Sequence, residues 1–120
     1  MKEKEKRMTK GNFKFKINNK NWEIKEISQN EMREQLKQHS DRVEEFGKYY
    51  GLTYADTQTI YLDKDLCLDR KRTTLLHELG HCYINTYITH LDQNYSEEDV
   101  VDTIANSHDI IREIVDKYFN

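Results

Sequence analysis

Residues 73–83 read Thr73-Thr74-Leu75-Leu76-His77-Glu78-Leu79-Gly80-His81-Cys82-Tyr83, and the fold turns on how this stretch is read. Leu75, Leu76, Leu79, Cys82, Tyr83 and Ile84 give a broad apolar side to a helix that Asp69 is expected to cap and that runs to about Tyr87 or Thr89. A helix apolar over so wide an arc belongs at the centre of a domain. Cys82 turns about 100° away from His81 and reads as a buried apolar thiol.

Upstream, Phe13, Phe15 and Ile17 alternate with Lys14 and Lys16, and Asn18-Asn19-Lys20-Asn21 supplies turn chemistry before Trp22, Ile24 and Ile27. That pattern predicts a β-hairpin. Met32 and Leu36 among Glu, Gln, Lys and Arg predict a helix from Gln29 to about His39, with an extension toward Val43 and Phe46. After Gly47 and Gly51, residues 52–54 and 59–62 read as strands around an Asp56-Thr57-Gln58 turn. Downstream, residues 91–95 are loop-like. Ser96 with Asp99 three positions on is a capping arrangement for a last helix to about Phe119, carrying Val100, Val101, Ile104, Ile110, Ile111, Ile114 and Val115. Hairpin, helix, two strands and two helices make an α+β domain with helices on a small sheet.

The chain has 120 residues, no Pro, four Gly and 34% charged residues, which suits one small domain over residues 11–120 behind a basic, frayed segment at 1–10. No apolar run approaches the roughly 18–20 residues of a membrane helix, and the Lys/Glu-rich start lacks a signal peptide's apolar stretch, so a cytoplasmic location is expected. Two cysteines alone, Cys67 and Cys82, argue against a disulfide framework. Residues 1–25 carry nine Lys/Arg against three Glu, whereas 26–120 carry ten against nineteen acidic residues. An acidic body argues against a nucleic-acid partner.

The chemistry lies in His77, Glu78 and His81, an HExxH pattern inside the predicted central helix. Residues four apart share a helix face, so both imidazoles can reach one zinc ion at roughly 2.0–2.1 Å. Glu78 then stands beside the open position as general base toward a water that the metal activates. Two histidines leave a zinc site one protein ligand short, and Ile84 and Tyr87 exclude a third histidine from the longer HExxHxxGxxH pattern. Glu98 is the candidate, with Glu97 and Asp99 as rivals, and Asp102, one turn on, is placed to accept the ring N–H of a ligand histidine. The plain alternative is that these acids only favour the positive end of a helix. Tyr95 and His90, and also His108, are candidates for stabilising the transition state. Strand 59–62 is the expected docking edge for an extended peptide.

HELGH at 77–81 with Glu98 and Asp102 on the next helix resembles the gluzincin pattern of zincin metallopeptidases. From Gly51 through Ile60, Leu62, Thr73-Thr74-Leu75-Leu76 and HELGH, the chain also resembles the compact ImmA/IrrE-type zincins of phages and mobile elements, over roughly residues 47–118. The resemblance implies a minimal zincin-like domain: a small twisted sheet, an active-site helix and a glutamate helix. It also implies a zinc-dependent metallopeptidase acting on a restricted set of protein or peptide substrates. The 120 residues given resemble neither the helix-turn-helix module nor the long C-terminal extension of larger members, so no repressor partner or substrate groove is expected by carry-over. The small size and the missing oxyanion-stabilising group motivate a second expectation, a phage or mobile-element interaction or inhibitor protein that binds a host protein, with the zincin site structural or vestigial.

Overall fold

The structure, a computed structural model, describes residues 12–39, 49–87 and 96–120. The predicted hairpin is present as β1 (Phe13–Ile17) and β2 (Lys20–Ile27), antiparallel with Phe15 opposite Trp22. Asn18 and Asn19 close it, both at positive φ (52° and 67°). Two consecutive left-handed residues match the twist of the flanking strands, and Asn tolerates that conformation better than most residues.

Helix α1 (Gln29–His39) follows at once. Ser28 caps it: the Glu31 backbone N–H donates to Ser28 Oγ at 3.2 Å, and Glu31 Oε1 accepts from the Ser28 backbone N–H at 2.9 Å. The Ser28 backbone N–H, and after it the Ser28 hydroxyl, both donating to Glu31 Oε1, hold that carboxyl below its ordinary pKa. The proposed extension to Val43 and Phe46 lies outside the described residues.

Strands β3 (Gly51–Tyr54) and β4 (Thr59–Asp63) form a second antiparallel pair, and β4 lies parallel to β2, giving the order β1-β2-β4-β3. One correction follows. Strand 59–62 is not an edge: β4 is paired on both sides and buried along its whole length, as its run Ile60-Tyr61-Leu62 suits. The edge beside the HExxH helix is β3.

The sheet has a helix layer on each face. Phe13, Phe15, Ile17, Trp22, Ile24, Ile60 and Leu62 share one face by register, and α2 (Leu68–Tyr87) and α3 (Glu97–Phe119) cover it. Leu75, Leu79, Cys82 and Tyr83 from α2 and Ile111, Ile114, Val115 and Tyr118 from α3 complete the core. Helix α1 lies by the other face, tied to it by Gln29 Nε2, which donates to Asp63 Oδ2 at 2.9 Å and to the Tyr49 carbonyl at 2.6 Å.

Helix α2 begins one residue before Asp69, so Asp69 is not its cap. The Lys71 N–H donates to the Cys67 carbonyl at 2.9 Å, which starts the helical ladder at Cys67 and leaves Asp69 in the first turn, where its charge suits the helix dipole. The Ser96/Asp99 capping box at the start of α3 is present in both directions, at 3.1 Å each. No helix among the described residues is long and apolar enough to cross a membrane.

Candidate active site

The central helix presents three kinds of surface, and its sequence order explains each. Leu75, Leu79 and Cys82 face the sheet, and burial pushes the Cys82 thiol pKa well up, with the nearby Glu78 charge adding to it. His77 and His81 are exposed, with their Nε2 atoms 3.3 Å apart and their rings edge to face at 4.9 Å. Two nitrogens bound at 2.0–2.1 Å around one tetrahedral centre are separated by about 3.3–3.4 Å. The histidine pair therefore has the spacing of a two-nitrogen zinc chelate.

Glu78 takes a different environment from its neighbours in the motif. It is only 6% exposed, and its Oε1 accepts a hydrogen bond from the Thr53 hydroxyl on β3. Gly51, two residues earlier on the same strand, makes the close approach of strand and helix possible. A Cβ there would stand 2.7 Å from Thr74 Cγ2 and 3.0 Å from both Glu78 Cγ and Glu78 Oε2. Strand β3 is thus pinned against the one carboxylate of the motif.

Glu98 and Asp102 lie exposed on α3. Among the described residues no three His, Cys, Asp or Glu side chains stand together as a metal-holding group, so the structure does not bring Glu98 to the histidine pair. Asp99 is engaged in the α3 cap, and His108 is exposed with its Nδ1 3.2 Å from Asp109 Oδ1. His90 and Tyr95 lie outside the described residues.

Sequence reasoning passed over Thr53 and Gly51. The signal available was the register: β-strand alternation puts Gly51 and Thr53 on the same face as Ile60 and Leu62, the face α2 covers. It also passed over Lys71, a buried lysine of α2 whose partner, Glu26, lies 45 residues away in the sequence.

Between α2 and α3 runs an apolar groove of about 650 Å³, lined among others by Leu76, Gly80 and Ile84 on one wall and Val100, Ile104 and Ile111 on the other. Its lining includes neither of the motif histidines nor Glu78.

Residues 27–119 match the Peptidase_M78 family, described as the IrrE N-terminal-like domain. The chain belongs to this family. No curated protein and no solved structure matches it. The IrrE N-terminal-like match begins at the end of β2 and covers α1, β3, β4, α2 and α3, so it includes the whole histidine helix and the strand pinned to it. The mixed sheet with its covering helices agrees with a small zincin-like domain of the Peptidase_M78 kind, and that family membership supports a peptidase-like role.

Proposed function

We propose that this protein is a zinc-dependent metallopeptidase that hydrolyses peptide bonds in a restricted set of protein substrates. The observation that carries the reading is the 3.3 Å separation of the His77 and His81 Nε2 atoms beside a buried glutamate. His77 and His81 would hold the metal; Glu98 on α3, which the structure leaves apart from the histidine pair, would be the third ligand on the strength of the sequence pattern alone, and Asp102 would orient a ligand histidine. Bound zinc supplies Lewis-acid activation of water and of the substrate carbonyl. Glu78 accepts the proton of the attacking water and passes it to the leaving amine. Tyr95 and His90 are the candidates for supporting the developing oxyanion. An extended peptide docks along the outer edge of β3, where no described residue hydrogen-bonds the backbone groups that do not face β4, leaving them to pair with an added strand.

Zinc content measured on the tag-free wild type and on Glu98→Ala tests the ligand set. One zinc per chain in the wild type, lost in Glu98→Ala, is the expected result. Zinc retained in Glu98→Ala moves the third ligand elsewhere, and a folded wild type that takes up no zinc overturns the reading. Glu78→Gln is expected to keep zinc and lose turnover by a factor of about 100 or more.

A second reading, an interaction protein with a structural or vestigial zincin site, is favoured by one observation: the apolar groove between α2 and α3, with Leu76, Val100 and Ile104 between 43% and 62% exposed. On that reading His77→Ala and Glu78→Gln leave partner binding intact, whereas Ile104→Lys abolishes it.

A further inference from the structure

Buried carboxylates are costly unless hydrogen-bonded, and the one in the HExxH motif is nine-tenths buried. Both of its oxygens meet the same strand. Oε1 accepts from the Thr53 hydroxyl, and Oε2 lies 3.0 Å from the point a Cβ on Gly51 would occupy. The same hydroxyl oxygen is 3.4 Å from the Glu78 main-chain carbonyl, so Thr53 touches the residue at both ends. A hydroxyl has one proton to donate, and the closer, charged acceptor takes it.

We infer that Thr53 is the positioning residue for Glu78: strand β3 fixes the base through the Thr53 hydroxyl, with Gly51 leaving room for the second carboxylate oxygen. Its importance for function rests on the peptidase reading above. The strand that offers its outer edge to an extended peptide is then also the strand that sets the angle of the base, so the backbone pairing partner of the substrate and the proton acceptor share one rigid element. Thr53 itself touches neither substrate nor metal and acts only through Glu78.

The test uses the full chain with its glutamate side-chain carboxyl carbons isotope-labelled, the Glu78 resonance being assigned by its loss in Glu78→Gln. Thr53→Val keeps the side-chain shape and removes the donor, whereas Thr53→Ser keeps the donor. The expected result is a Glu78 carboxyl resonance displaced beyond its linewidth in Thr53→Val and restored in Thr53→Ser. A double-mutant cycle supplies the second readout. Thr53→Val is expected to lower the folding equilibrium constant about tenfold or more when Glu78 is present, and less than about threefold in Glu78→Ala. An unmoved resonance in Thr53→Val, or additive effects in the cycle, overturns the assignment. Zinc uptake is measured on the same samples. A wild type that takes up none removes the peptidase reading and leaves the Thr53–Glu78 coupling to be judged on the resonance and the cycle alone.

Discussion

Gly51 shows how much one missing methyl group can decide. Glycine is unnecessary there for any unusual backbone angle; what it provides is space, because a Cβ would fall within 3.0 Å of Thr74 and Glu78. Gly51→Ala pushes β3 off the histidine helix or twists Glu78 away from Thr53. Overpacking of this kind costs typically about 1–3 kcal/mol, and urea unfolding of the variant is expected to show a loss in that range. A loss below about 0.5 kcal/mol would mean that the strand is not pressed against the helix in solution. Gly80 is the contrasting case: among the described residues nothing lies within 4 Å of a Cβ at that position, so Gly80→Ala meets no clash there. There alanine's better helix propensity is free to add about 1 kcal/mol.

At the scale of elements, α3 divides into two halves that share one stripe. Val100, Ile104, Ser107, Ile111, Ile114 and Tyr118 follow each other at alternating steps of four and three, the spacing of a continuous packing seam. The last four are buried, from 2% to 9% exposed, whereas Val100 and Ile104 are 47% and 62% exposed and border the groove. Burial, not hydrophobicity, then sets the cost of truncation. Ile114→Ala is expected to cost about 2–4 kcal/mol and Ile104→Ala less than about 0.5 kcal/mol in denaturant unfolding. Equal losses would show that the first half of α3 is packed as tightly as the second. The seam also marks what could be read in advance. The hairpin at Asn18-Asn19, the Ser96/Asp99 capping box and the HExxH spacing are all local patterns, and each was legible because its partners are within a few residues. Thr53 and Glu78 are 25 residues apart, and Lys71 and Glu26 are 45 apart. Nothing local announces such pairs, since they exist only once strand order and helix docking have been settled. Strand order is not legible in the sequence at all. Strand 59–62 reads as a docking edge, although the four apolar or β-branched residues Thr59-Ile60-Tyr61-Leu62 suit a strand covered on both faces.

The largest scale brings together a charged group from each of two layers and a hydroxyl from a third element. Lys71 on α2 donates from Nζ to Glu26 Oε1 on β2 at 2.7 Å, with side chains 1% and 2% exposed, and the Tyr118 hydroxyl on α3 donates to the other Glu26 oxygen. One carboxylate thereby fastens both covering helices to the sheet. An ion pair this deep gains little net energy over a well-packed apolar pair, because desolvating both charges offsets their attraction. Breaking it from one side is another matter. Lys71→Met leaves the Glu26 carboxylate buried with the Tyr118 hydroxyl as its remaining donor in this network, a loss expected to be about 3–5 kcal/mol. A domain of this size is stable by only about 5–15 kcal/mol in all, so the single variant should unfold at far lower urea than the wild type. Lys71→Met combined with Glu26→Leu removes both charges at once and should recover most of that loss, leaving Tyr118 to turn its hydroxyl elsewhere. Recovery in the double variant would show that the penalty of the single one comes from a stranded charge. A Lys71→Met protein as stable as the wild type would show that water reaches Glu26, and that the two helices are held to the sheet by their apolar faces alone.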